Sequence, residues 1–572
     1  MHLGASVITL STFQEHLASK EPLPQDNYKY LEGPQQQQQL LQWTASLPTQ
    51  TEEVQARQIE SILRELTAPN LDDKLCLALM SIIGSATDRL ITSLRKHYIY
   101  QIGALNHEQL SYFEQVKSLY YLTVLVYDGI VEREGQALDL QHFSQMDGSW
   151  RRLLPSSKAP PLLLAQAVYS SLMAYQKLLF ESAFLSQEPP KYIWSQINKL
   201  FGQSHHYDIA YTDLSAQTVT RNAKSIHQLY KQMCLHSLLN VRAMRRSSTV
   251  LVQRLLPVWA EYIDTSIGPK TNTRVFVDLN SDQPPNYLTA SSTIDPFDGQ
   301  HACLFLDLEP LATYLKLRIA DLQHSDNDAI EYRLINNVLL TVNYRYIERK
   351  NTMPSKYSPK QRATIITGFD TIHYQVAKQR DLLDIIGKED LATKYLPKAK
   401  HLPKTLPKTN SVTGISVETF DSTDVMSQFR LLQLSKQTAH NKDERYSLQI
   451  MSLFLLCRPK IETKLKWSIG VVRWLVRDEM MTEVEWQVLG HQLNPCGIRS
   501  ANSKSKNLSF VSGFIIANDD DLQTGHSLLV PAYHFNEQDR VIVRVNNEQK
   551  SVRLQRCLLS TEEFSQYEFV ML

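Results

Sequence analysis

Near residue 274 the hydrophobic period of this chain changes from that of a helix to that of a strand. No single secondary-structure class satisfies both halves. Upstream, Ile59, Ile62, Leu63 and Leu66 form one apolar stripe. Leu110, Phe113, Val116, Leu119 and Tyr120 form a second, and Ile226, Leu229, Tyr230, Met233 and Cys234 a third, all at three- and four-residue spacing. Downstream, "RVFVDL", "ACLFLDL", "SLQIMSLFLL", "LKWSIGVVRWLV", "EVEWQVLG", "FVSGFIIA" and "DRVIVRVN" alternate or run apolar over strand lengths. At 572 residues the chain is too long for one core. The expectation is an α+β multidomain protein.

The helical part, residues 51–272, is broken at "TAPNLDD", "IGALNHEQ", "LPSSKAPP" and "SQEPPK". Asn70 and Asn106 stand where N-caps belong. Helices joined by short turns predict a bundle or an α-solenoid. A strict repeat of about 34 residues is missing, so any tetratricopeptide-like character is degenerate. Residues 1–50, with the run Gln35–Gln39, read as a polar, partly disordered arm carrying one or two short ordered pieces. Residues 273–342 form a mixed connecting segment of short strands followed by two helices.

Many short strands at nearly regular spacing predict one or two small β-barrels after 342. The expected division is a first barrel over 343–500 and a second small barrel-like unit over 501–572. Within the first, "YLPKAKHLPKTLPKTN" holds the tripeptide Leu-Pro-Lys three times. Proline removes backbone donors and blocks helix, so 395–412 reads as an exposed basic insertion.

Sixty basic residues stand against 59 acidic ones, a formal charge of +1. That balance argues against a dedicated DNA binder, though not against a small local anion site. The N-terminus lacks a basic region followed by an apolar core, so no signal peptide is expected. The longest apolar runs, such as "YYLTVLVY", fall short of the roughly 20 residues that a membrane span needs. The six cysteines (Cys76, Cys234, Cys303, Cys457, Cys496 and Cys557) are scattered without CxxC or zinc spacing, as reduced packing residues of a cytoplasmic protein would be. GxxxxGK[ST], GxSxG, HExxH and a dinucleotide-binding glycine turn are all missing, so no enzyme, metal or cofactor is expected. His205 and His206 are adjacent and cannot share a helical face, and an ordinary loop is expected there. "NDDDLQTG" lacks the closing Glu of a calcium loop and reads as a turn between strands.

Arginines remain. "NYRYIERK" places Arg345 and Arg349 four apart, before the Pro- and Lys-bearing "NTMPSKYSPK". A guanidinium presents five donors in a planar fork that can grip two phosphate oxygens, and its face can stack on a base. This RxxxR is followed by "QLSKQT" (433–438), "WSIGVVRWL" (467–475) and "EVEWQVLG". That order resembles a PilZ domain, the bacterial receptor module for cyclic di-GMP. "PPKYIWSQINKLF", "FVDLNSDQPP" and "GFDTIHYQV" are similar to parts of a larger bacterial family that joins a helical N-terminal region to a C-terminal PilZ-type barrel.

The resemblance implies that Arg345 and Arg349 hold phosphates and stack on guanine. It implies that Gln433, Ser435 and Thr438 occupy the [D/N]xSxxG motif, with Arg473 in the following strand motif also at the ligand. Gln433 stands where the family has Asp or Asn, and Thr438 where it has Gly. Two readings follow. One is a cyclic di-GMP-responsive signalling protein whose helical region contacts a protein partner, with output to surface adhesion or pili. The other is an interaction scaffold whose PilZ-like barrel no longer binds nucleotide. A nucleotide hydrolase or transferase has no carboxylate or metal constellation to support it.

Overall fold

A computed structural model describes residues 34–572 except 69–70, 102–104, 147–160, 188, 217–222, 270–273, 289–293, 299–300, 323–328, 344–360, 388–390, 398–414, 421–428, 436–447, 458–466, 478–480, 503–507, 520–521, 523 and 533. The chain divides into two compact units, residues 1–242 with 246–310, and residues 243–245 with 311–572.

The first unit contains α1 (Pro34–Ser46), α2 (Glu52–Leu66), α3 (Asp73–Arg95), α4 (His107–Met146), α5 (Leu162–Phe184), α6 (Lys191–His206), α7 (Ile226–Leu238) and α8 (Arg246–Glu261). Helix α1 is an ordered piece within the N-terminal arm. Asn106 caps α4: its side chain accepts from Gln109 N at 2.8 Å while Asn106 N donates to Gln109 Oε1 at 3.0 Å. This is the reciprocal capping arrangement that satisfies two orphan donors at once. Helix α3 is instead capped by Asp72, which accepts from Leu75 N at 2.9 Å; Asn70 lies outside the described residues. By length and composition α3 could cross a membrane. Its apolar stripe, including Met80, Ile83, Leu90, Ile91 and Leu94, is buried inside the unit.

The stripes read from the sequence are largely buried, although Leu110 is 38% exposed: Phe113, Val116 and Leu119 of α4 are fully buried, as are Val168, Leu172 and Tyr175 of α5. Burial of each large side chain contributes roughly 1.5–3 kcal/mol. Two carboxylates inside this unit are paired. Glu181, wholly buried, receives the Arg95 guanidinium and accepts from Tyr98 Oη at 2.8 Å. Asp128 accepts from Ser171 and from Tyr175 Oη at 2.9 Å, and burial pushes its carboxyl up to about 6. His205 and His206 form the last turn of α6, not a loop. The helix continues through "GQSHH" because nothing in that stretch breaks it.

A four-stranded antiparallel sheet follows, made of β1 (Asp264–Ser266), β2 (Val275–Asp278), β3 (Asn286–Tyr287) and β4 (Cys303–Asp307) in the order β1-β4-β2-β3. Asn198 of α6 ties the loop after β2 to the helices. Its amide donates to Ser281 O and Gln283 O, both at 3.0 Å, and its carbonyl accepts from Tyr230 Oη at 2.8 Å.

Helix α9 (Glu309–Leu322) leads into the second unit, with α10 (Ala329–Val342). Two closed barrels then form. The first has the order β10-β7-β6-β5-β8-β9, built from β5 (Gln361–Thr367), β6 (Ile415–Phe420), β7 (Phe429–Ser435), β8 (Leu453–Cys457), β9 (Trp467–Arg477) and β10 (Met481–Gly490). The second has the order β11-β12-β13-β16-β15-β14. Its strands are β11 (Leu493–Ser500), β12 (Val511–Ile516), β13 (Ser527–Pro531), β14 (Arg540–Val545), β15 (Glu548–Ser560) and β16 (Phe564–Met571). Strand β11, which sequence reasoning places at the end of the first barrel, pairs with β12 and β14 of the second. Spacing cannot reveal this, because β10 and β11 follow each other almost without a break. "NDDDLQTG" lies between β12 and β13 and closes with a bridge between Asp519 and Thr524.

Between β5 and β6 the chain makes a detour. Gly368, at φ +85°, turns it into α11 (Phe369–Val376), and α12 (Leu382–Ile386) follows. Asn546 N and Asn547 N donate to Ile385 O and Ile386 O at 2.7 and 3.1 Å, so α12 is fastened to the β14–β15 hairpin of the second barrel. The basic insertion begins just beyond, and its residues from 398 onward lie outside the described residues.

Candidate functional site

Strand register determines which residues share a rim of the first barrel. Gln361, Arg362 and Ala363 at the start of β5 pair with Val417, Ser416 and Ile415 of β6. Val417 pairs in turn with Leu434 near the end of β7, and Ser435 pairs with Met481 at the start of β10. The start of β5 and the end of β7 therefore stand level in one cross-strand row through Val417, on strands that run parallel to each other. Arg345 and Arg349 lie outside the described residues, in the segment that runs into β5, and Thr438 lies outside them just beyond β7.

Leu432 and Leu434 are buried at 1% exposure, which fixes the register of β7, since a one-residue slip would carry both out of the core. Between them Gln433 stands directly across from Glu418 of β6 and Glu483 of β10. Gln433, Glu418 and Glu483 thus occupy one cross-strand row, in which Glu483 is half-buried.

Arg473 stands outside the paired register of β9 and β10. Trp474 pairs with Glu485 and Val472 with Trp486, leaving Arg473 as the extra residue of a β-bulge. Val472 exchanges hydrogen bonds with Met451 N and Ser452 O, beside the start of β8. Arg473 is 6% exposed, with Nη1 3.9 Å from Met451 Sδ. A bulge cannot be seen in a sequence that alternates well on both sides of it.

"WSIGVVRW" owes its glycine to packing. A Cβ on Gly470 would lie 2.3 Å from Cε3 of Trp486, whose ring fills the barrel core with Phe454 at a centroid distance of 5.0 Å. Sequence reasoning also missed Glu563, in the turn between β15 and β16. It accepts from Phe369 N, Leu453 N and Arg245 Nη2, each at 3.1 Å. Burial lifts its carboxyl above the usual value, while Arg245 and the two amides act to lower it. This side chain joins the second barrel to β8 and α11, and no local pattern announces it. Among the described residues no group of three or more His, Cys, Asp or Glu side chains could hold a metal ion.

Two family models match the chain. Residues 38–270 match the N-terminal domain of the cyclic-di-GMP receptor FimW, and residues 496–572 match the FimW C-terminal β-barrel domain. The first match spans the helical unit as far as the sheet, and the second spans nearly all of the second barrel. The candidate rim lies between them. Among curated proteins, the cyclic-di-GMP receptor FimW of Pseudomonas aeruginosa is 19% identical over 595 residues, covering 97% of this chain and 93% of that protein. No solved structure matches.

Proposed function

We propose that this chain, which matches both FimW domain models, is a cytoplasmic, non-enzymatic receptor for cyclic di-GMP that binds the nucleotide on its first barrel, beside the row that joins the start of β5 to the end of β7. Arg345 and Arg349 grip the phosphates and cover a guanine, while Gln433 and Ser435 meet the base edge. What supports this reading is the register, in which Gln361 of β5 and Leu434 of β7 share a cross-strand row through Val417 although the sequence separates them widely. The helical unit carries the output through a protein partner, in control of surface adhesion or pili. Near-neutral charge and the burial of α3 support a protein that neither binds DNA nor inserts into a membrane.

A second reading rests on Gln433 and Thr438, which depart from the motif: a scaffold whose barrel has lost its ligand. Calorimetric titration of the whole chain with cyclic di-GMP separates the two. The variant Gln433→Asp with Thr438→Gly restores a short carboxylate acceptor and frees the backbone, and one regained charge-assisted hydrogen bond strengthens binding about tenfold or more. No heat in wild type and none in the folded double variant would leave the scaffold as the better account.

A further inference from the structure

On the second barrel, Arg499 of β11 pairs in register with Ile542 of β14, and Gly497 with Arg544. Ile498 and Val543 point into the barrel core, so alternation puts both arginines on its outer face, diagonally adjacent. That face is covered. Leu382 and Ile386 of α12, with Phe510, form a small apolar cluster there, edged by Tyr395 and Ile542. A Cβ at Gly497 would meet Ile386 Cγ2 at 2.2 Å, so glycine is what lets α12 lie this close. Under the cover Arg499 is 8% exposed and Arg544 5%.

Arg544 donates Nε to Ile386 O at 2.8 Å and Nη2 to Asn547 Oδ1 at 3.3 Å. Arg499 is less well provided. Its guanidinium lies 4.0 Å over the Tyr395 ring and 5.5 Å from Phe510, and Nη1 donates to Ser500 O at 3.0 Å. Its Nε is buried without a hydrogen-bond partner. The Nε/Nη2 edge, which in other proteins grips two oxygens of one anion, is left without an acceptor among the described residues. Burial is the main cause that lowers the basicity of Arg499; Tyr395 acts to raise it and the neighbouring Arg544 to lower it. Leaving such a group unsatisfied costs more than leaving a neutral one so.

We propose that the Arg499–Arg544 pair, lidded by α12 and Tyr395, is a binding site for a phosphate-class oxyanion, separate from the nucleotide rim of the first barrel. The anion lies on the Nε/Nη2 edge of Arg499. It supplies the missing acceptor to Arg499 and so strengthens the attachment of α12 and Tyr395 to the second barrel. A free phosphate and the end of a phosphomonoester share this chemistry.

The test is calorimetric titration of the whole chain with inorganic phosphate, and in parallel with AMP, at matched ionic strength. Wild type is expected to bind phosphate saturably, and Arg499→Gln to weaken it at least tenfold with unchanged circular dichroism. Arg499→Lys keeps the charge over Tyr395 but lacks the planar edge, and it should lose as much. It carries the test should the Gln variant fail to fold. Replacing Lys398, Lys400, Lys404 and Lys408 by Gln should leave affinity within about twofold. Equal binding of AMP assigns the site to a monoester end, and binding of phosphate alone to the free ion. The proposal is overturned if wild type gives no saturable phosphate heat, if either Arg499 variant binds as wild type does, or if only the lysine variant loses binding.

Discussion

Replacing Glu563 by Gln changes one oxygen into an NH2 group and nothing else in shape. In the native arrangement Oε1 accepts from Phe369 N, while Oε2 accepts from both Leu453 N and Arg245 Nη2, all at 3.1 Å. A glutamine retains one acceptor. Its NH2 must face at least one of these donors, so one backbone N–H at the start of β8 or of α11 is orphaned and Arg245 loses its counter-charge. With the side chain 13% exposed, one orphaned donor costs about 1–3 kcal/mol, and the conversion of a charge-assisted bond to a neutral one adds about 1 kcal/mol. The expected loss is about 2–4 kcal/mol. Urea unfolding followed by tryptophan fluorescence measures it, and hydrogen exchange should show faster exchange at Phe369 and Leu453. In a double-mutant cycle with Arg245→Met, a coupling of about 1 kcal/mol is expected because Arg245 is 37% exposed and partly screened by solvent. Unchanged stability together with unchanged exchange at both amides would refute the reasoning.

Three further outcomes follow from the same kind of argument. Arg349→Ala should weaken cyclic di-GMP binding roughly 10–100-fold and Arg349→Lys should also weaken it, as read by calorimetry; equal affinities would make the pair a solvated helix edge. Burial holds the ring of His236 neutral, down to about 3, so unfolding takes up a proton below the usual value of 6.5. Its contribution to stability is complete above pH 6.5 and falls by about 2 kcal/mol by pH 5, a slope that His236→Phe should reduce in urea titrations of the helical signal. Gly470→Ala should destabilise the first barrel by about 1–3 kcal/mol through overpacking on Trp486, and the double variant with Trp486→Leu should recover part of that in thermal melts.

The helices were legible because their causes are local. A 3.6-residue stripe, Asn106 with Gln109, and a change of period can each be seen within a dozen residues. The closed barrels were legible as a class for the same reason. What escaped was set by distant partners. Arg473 alternates properly in "VVRWL" and is displaced only by a bulge whose cause lies in β10. Strand β11 follows β10 closely yet belongs to the other barrel. Glu563 and Arg499 sit in ordinary stretches, "STEEF" and "CGIRS", and gain their roles from amides and rings more than a hundred residues away in sequence. The departures at Gln433 and Thr438 were legible as departures, but the neighbours of Gln433, Glu418 and Glu483, emerge only from strand pairing.

The interval between Arg349 and the end of β7 carries the same lesson for function. It holds two helices, the cover on the second barrel and the Leu-Pro-Lys insertion, and by sequence distance alone the two motif halves look unrelated. Loop closure depends only weakly on length, with each doubling costing about 0.6 kcal/mol, so an insertion there hardly weakens the pairing of β5 with β6. The pairing is held by the buried leucines of β7 and by closure of the barrel. What the long connection adds is a second attachment, because α12 is bound by Arg544, Asn546 and Asn547 before the chain returns to β6. A ligand that orders the start of β5 thereby acts on a segment already fastened to the second barrel. On the proposed function, shortening 398–412 should leave cyclic di-GMP affinity unchanged in calorimetric titration, whereas cutting α12 loose should weaken it.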